Sequence, residues 1–270
     1  MPSLSAEQIR HYRDQGYVFP IPVLSPLEVV ALRRHIEDFE TARGAPIAGA
    51  LRHKPHLLFA CLNDLVRDDR ILDAVAGVIG PNILCWESVF FTKEPATPHY
   101  VSWHQDATYW GLEPFEVVTA WVALSPSTPE TGNMRVIPGS HREPLAPHID
   151  TFDAHNMLSR GQEIAVAVDE GRAVDISLQA GEMSLHDVKL AHSSPPNCSN
   201  ERRIGLAIRY IPPHVRQTAG AGDSATLVRG VDGYRHFVEE PRPVGDFSEK
   251  AQRQHEELRK RRYDILMRPV

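Results

Sequence analysis

The sequence is short of cysteine, has no long apolar run and carries no basic excess, and each shortage removes a class of protein. Its three cysteines, Cys61, Cys85 and Cys198, are far apart and odd in number, which argues against a disulfide framework and against a zinc site built on thiolates. Nowhere does it hold the ~18 consecutive apolar residues that a membrane-spanning helix needs. The opening MPSLSAEQIRHYRDQGY has no basic start followed by an apolar stretch, so no secretory leader is expected and a cytoplasmic location is. Lysine and arginine total 29 against 35 aspartates and glutamates, a net charge of −6, with no long basic block. Nucleic acid and membrane surfaces are therefore poor partners, and a small molecule is the better expectation. Internal repeats and low-complexity segments are also missing.

What is present reads as a soluble globular chain: 270 residues, 42% hydrophobic and 24% charged, enough to bury a substantial core. Ser5-Ala6-Glu7-Gln8 and Ser25-Pro26-Leu27-Glu28 are capping boxes, the second with proline at the first helical position, and each predicts a helix start. A third helix is expected from about 57 to 79, stopped by Gly80-Pro81-Asn82. Beyond Pro81 come short runs rich in β-branched and aromatic residues, at 83–93, 117–124, 134–137, 164–168, 173–178, 183–185 and 204–211, separated by Gly, Pro, Ser, Asn and Asp. Many short strands without helical crossovers predict an antiparallel sandwich or barrel. The expected organisation is one domain over 1–270, with a mainly helical flank (1–80), a β core (81–212), and a loop followed by a charge-rich C-terminal helix (213–270).

Fourteen histidines make a single histidine motif weak, since roughly one His-x-Asp arises by chance in such a composition. Two occur, His104-Gln105-Asp106 and His148-Ile149-Asp150. The first lies among aromatics just before the strand VVTAWVAL, and in an extended chain His104 and Asp106 would project to one face. The second lies in a polar stretch with no strand after it and is expected to be incidental. A third ligand is available in His186 or His192, with His192 preferred because Ser194 follows by two residues and Arg203 by eleven. Two histidines and a carboxylate with open positions describe a non-haem Fe(II) oxygenase, though zinc could use the same set. A guanidinium beside the metal offers a planar fork to a 2-oxoacid carboxylate, which favours iron.

These residues, in the order GPNILCWESVFFTKEP, WHQDATYW, TAWVALSPSTPETGNMRVIPGSH and AHSSPPNCSNERR, resemble the phytanoyl-CoA dioxygenase family of Fe(II)- and 2-oxoglutarate-dependent oxygenases. The resemblance implies a mainly β fold with flanking helices, its core a double-stranded β-helix (jelly roll, cupin-like) packed by the N-terminal helices. It implies Fe(II) on His104, Asp106 and His192, 2-oxoglutarate on Arg203 and Ser194, and dioxygen as second co-substrate. Gln105, Trp121, Lys54 and Val89 are the weaker carry-overs for co-substrate binding. Asp106 stands where halogenating relatives have a small residue, so hydroxylation of a small organic metabolite is expected. Thr131-Gly132-Asn133 is read as the family's tight turn with residues exchanged. Substrate contacts are sought among Trp103, Tyr109, Trp110, Arg135, Arg209, Arg216, Arg229 and Arg235. The rival readings are a cupin-like metal enzyme with non-oxidative chemistry, and a non-catalytic binding barrel.

Overall fold

The computed structural model describes residues 3–267; the expected outer limits, 1 and 270, lie outside them. Both serine capping boxes form as read. Ser5 caps α1 (Ala6–Gln15) and Ser25 caps α2 (Pro26–Arg43), each closed at its far end by a glycine in the left-handed region. Between them Tyr17–Pro22 is a strand, β1, inside the segment expected to be helical. The third helix is broken: a short 3-10 turn at Pro55–Leu57, then α3 (Ala60–Leu65) and α4 (Asp69–Ile79). Asp68 caps α4 through its own side chain, so a local capping choice splits what the apolar spacing joined.

Then come β2 (Ile83–Lys93), β3 (Val101–His104), the short helix α5 (Ala107–Trp110), β4 (Leu112–Glu113), β5 (Val118–Ala123) and β6 (Met134–Val136). After them follow β7 (His148–Asp150), β8 (Gln162–Ile164), β9 (Val174–Ile176), β10 (Glu182–Asp187), β11 (His192–Ser194) and β12 (Arg203–Ile211). The strand expected at 164–168 is β8, which stops at Ile164. The segment expected to be loop holds β13 (Arg216–Gln217), β14 (Ser224–Arg229) and β15 (Val238–Glu239), and α6 (Glu249–Leu266) closes the described chain.

Seven strands order as β1-β10-β5-β12-β2-β14-β15, antiparallel throughout except for the parallel β14/β15 edge, and four as β3-β11-β6-β9. This is the mainly β, double-stranded β-helix fold with flanking helices. Leucines, isoleucines and valines of α3 and α4 share one buried cluster with the outward faces of β5, β10 and β12. The helices therefore cover one side of the large sheet, as amphipathic layers must. Its other side, carrying Trp121, Ala207 and Arg209, turns toward the four-stranded sheet and bounds a narrow cavity lined from both sheets. Among the described residues no helix is long and apolar enough to cross a membrane.

Candidate metal centre

His104 ends β3 and His192 opens β11, and the two are directly opposed in the antiparallel pairing. Their rings stand 4.1 Å apart between centroids. Asp106 is not in an extended chain beside His104, as the two-residue spacing predicted. It has helical backbone angles (φ −60, ψ −35) and precedes α5. The chain turns at Asp106, and this turn brings Asp106 Oδ1 to 3.4 Å from His104 Nε2 and Oδ2 to 3.9 Å from His192 Nε2. One ligand atom from each of the three residues lies within 4.8 Å of the other two, and all three line the cavity.

The protonation states fit a cation. His104 Nδ1 donates to Ser102 O and His192 Nδ1 to Leu190 O, both at 2.9 Å. A carbonyl only accepts, so Nδ1 carries the proton and each Nε2 offers its lone pair to the site. Burial, then the neighbouring His104, hold His192 well below the ordinary histidine value and so neutral. Burial raises the Asp106 carboxyl, but the two imidazoles beside it and the Arg209 guanidinium outweigh it and hold it below the ordinary carboxylate value.

At the start of β12 is a second feature, two buried basic side chains that no carboxylate pairs with among the described residues. Arg203 donates to Ser194 Oγ at 3.0 Å and to Gly132 O. Lys93 donates to Ser194 Oγ at 2.6 Å, to Ser194 O at 3.1 Å and to Pro195 O. Burial pushes Arg203 down to about 9, and burial with Arg203 alongside pushes Lys93 down to about 6. Arg203 Nε is buried with no partner, an orphaned charged donor of the kind native interiors seldom leave unless a ligand completes it. Trp121 lies under this guanidinium at 5.5 Å. Gly132 (φ +70) supplies the shared carbonyl from a left-handed turn in which a Cβ would fall 2.2 Å from Pro195 O. Three ligands open to a cavity and a cationic cradle along the same wall suit a metal and a dicarboxylate together.

The profile of the family described as phytanoyl-CoA dioxygenase (PhyH) matches residues 12–205. The chain belongs to the phytanoyl-CoA dioxygenase family. It is similar to a probable alpha-ketoglutarate-dependent hypophosphite dioxygenase of Stutzerimonas stutzeri, 27% identical over 238 residues, covering 81% of this chain and 82% of that one. An ectoine dioxygenase of Bordetella parapertussis is 25% identical over 232 residues, covering 77% and 75%. Among solved structures, the non-heme monooxygenase ThoJ in its apo form superposes with a TM-score of 0.83 at 35% identity, covering 96% of this chain and 97% of that one. With family membership come the enzyme class, an Fe(II)- and 2-oxoglutarate-dependent dioxygenase, and the cofactors: iron, 2-oxoglutarate and dioxygen.

Other residues singled out in this family member fall in different places. Gln105 does not line the cavity; its amide spans Lys189 O (2.7 Å) and Ala146 N (2.8 Å). It holds the turn that carries Asp106. His148, of the second triplet, accepts from Gln105 N at 3.0 Å, while Asp150 pairs with Arg160, and both belong to a strand, β7, that the polar stretch did not announce. Val89 is buried on β2 opposite Ala207, two residues before Phe91, which lines the cavity. Lys54 is fully buried, away from the cavity and paired with Glu240. His186 does line the cavity, its ring 5.0 Å from that of His192.

Among the residues sought for substrate contact, Arg209 lines the metal cavity and Trp110 stacks beneath it. Trp103 and Arg135 line an open groove next to it. Tyr109 faces Arg160, Arg229 pairs with Asp69 and Asp73, Arg216 is exposed, and Arg235 lines a separate cavity. Lys93 and Thr119 escaped the sequence reading. Lys93 had a signal, a lysine ending a strand of otherwise buried character, whereas Thr119 had none.

Proposed function

We propose that this protein hydroxylates a C–H bond of a small organic metabolite, using Fe(II) held by His104, Asp106 and His192 and 2-oxoglutarate held by Arg203 and Ser194. The observation that carries the reading is the pairing of a two-histidine, one-carboxylate cluster with a buried basic cradle that, among the described residues, has no acid of its own. The bound iron supplies oxidising chemistry with dioxygen, at the expense of 2-oxoglutarate, which leaves as succinate and carbon dioxide. The chain does the rest. His104 and His192 present unprotonated Nε2 atoms because their Nδ1 protons are committed to backbone carbonyls. Arg203 offers charge and donors to the distal carboxylate of the co-substrate, and Ser194 is held in place by Lys93, Arg203 and Gly132 O. Trp121 walls that end against water. Retention of Asp106 supports hydroxylation over halogenation, since the carboxylate fills the position a halide would need.

Anaerobic titration with Fe(II) and 2-oxoglutarate, following the visible metal-to-ligand charge-transfer band, tests this. The band forms in the wild type and is lost in His192→Ala. Arg203→Ala needs at least about tenfold more 2-oxoglutarate, as expected for losing a charge-assisted hydrogen bond. Iron binding without a band at any 2-oxoglutarate concentration would instead favour non-oxidative metal chemistry, and no metal binding at all would favour a non-catalytic barrel.

A further inference from the structure

The large sheet carries a second polar feature on its cavity face. Thr119 on β5 is directly opposite His186 on β10 and also opposite Arg209 on β12, so the three form one row across adjacent strands. All three line the cavity with Asp106. They are 2%, 2% and 8% exposed, and each carries a buried polar atom with no hydrogen-bond partner: Thr119 Oγ1, His186 Nδ1 and Arg209 Nε. One orphan can be local imperfection, but three in register on one wall describe a surface shaped for a hydrogen-bonding guest.

Charge says what the guest is. Arg209 stacks its guanidinium 4.4 Å over Trp110, and among the described residues no carboxylate forms an ion pair with it. The one acid acting on it is Asp106, which in the proposed oxygenase is committed to the metal. Arg52 adds positive charge nearby, since its field is felt with that of Arg209, and its guanidinium lies over Phe91 of the cavity wall. Arg203 sits six residues along β12, roughly 20 Å away at ~3.3 Å per residue, so a co-substrate carboxylate on Arg203 leaves Arg209 free.

We propose that the primary substrate carries an oxyanion group, a carboxylate or phosphonate, which docks on Arg209 with Thr119 as a second donor and so presents the neighbouring carbon to the metal. This rests on the oxygenase reading and deepens it: Arg209 becomes the specificity-determining residue for a small anionic substrate. Sharing this narrow cavity with 2-oxoglutarate limits that substrate to a compact molecule.

The test is anaerobic calorimetry on protein loaded with Fe(II) and saturating 2-oxoglutarate, titrated with propionate, methylphosphonate and the neutral propionamide. Both anions are expected to bind at least tenfold more tightly than propionamide. Arg209→Gln should reduce them to the level of the amide while the 2-oxoglutarate affinity moves less than threefold, and Arg209→Lys should keep part of the preference. Propionamide binding as tightly as propionate, unchanged anion affinity in Arg209→Gln, or anions displacing 2-oxoglutarate instead of joining it would each overturn the proposal. Should Arg209→Gln not fold, the wild-type comparison and Thr119→Val, expected to weaken the anions at least threefold, decide it. Absence of the charge-transfer band would sink the oxygenase reading alone, and the same titrations on the metal-free protein would then decide the anion site.

Discussion

Lys93 shows how much one buried cation can report. It has three donor hydrogens and three oxygen partners, yet burial and Arg203 lower its value from 10.5 to about 6. A lysine whose folded value lies below its ordinary one is driven to shed its proton in the folded state. Without an anion, burying its charge costs stability in full below about 6, and the cost fades as pH rises toward 10.5. A dicarboxylate arriving at Arg203 reverses the balance and favours the ammonium form. Binding of 2-oxoglutarate at pH 8 should therefore take up a proton, with a stoichiometry approaching about one. Calorimetry in buffers of different ionisation enthalpy reads this directly, and affinity should fall from pH 6.5 to 9. Lys93→Met should abolish the uptake and weaken binding at pH 6.5 by about tenfold. Uptake that persists in the variant would mean that another group titrates.

At the scale of the element, β12 carries the site. It runs between β5 and β2 and alternates functional and packing residues, with Arg203, Ala207 and Arg209 toward the cavity and Ile204, Leu206 and Ile208 in the opposite cluster. Gly205 interrupts the inward series because the Trp121 indole occupies its side: a Cβ there would lie 1.9 Å from Trp121 Cζ2. Gly205→Ala should cost ~1–3 kcal/mol by overpacking, read by chemical denaturation. It should also weaken 2-oxoglutarate binding by tilting the ring that lies under Arg203; unchanged binding would show that Trp121 is not part of the cradle. This strand was legible in the sequence because both of its faces are buried, giving an unbroken apolar run between charged ends. The strands toward the two ends of the large sheet were not. β1 (YVFPIP) holds two prolines and β14 (SATLVR) lies amid polar loop sequence, and each acquires strand structure from a neighbour, β10 or β2. The site was legible where spacing reflects topology, as in His192, Ser194 and Arg203. It was not where a residue reaches the cavity by cross-strand register alone, as Thr119 does. The turn at Asp106 was hidden because the carboxylate meets the histidines by leaving the strand, not by continuing it.

For the whole molecule, buried ion pairs tie the last part of the chain to the first. Lys54, just before the 3-10 turn, donates to Ser224 on β14 and to Glu240 beyond β15, and His56 reaches the other oxygen of Glu240 at 3.2 Å. Arg262 on α6 is paired with the buried Glu87 of β2. These contacts close the outer edge of the large sheet behind β2, the strand that also presents Phe91 and Lys93, so the edge cannot loosen without disturbing the cradle. Burial works to raise the Glu240 carboxyl, but Lys54 and His56 outweigh it and hold it at about 2, against an ordinary 4.5. A depressed carboxylate contributes stability that is full above its unfolded value and is lost as pH falls through its folded one. Glu240→Gln should therefore cost about 3–5 kcal/mol at pH 7, since it leaves Lys54 as an unpaired buried cation. The gap between wild type and variant should narrow as pH drops below 4.5 and close as pH falls through about 2, where the wild-type carboxyl also becomes neutral. Urea denaturation across that range measures both. A gap independent of pH would place the cost in packing, and the edge would then be held by β14 and β15 pairing instead of by charge.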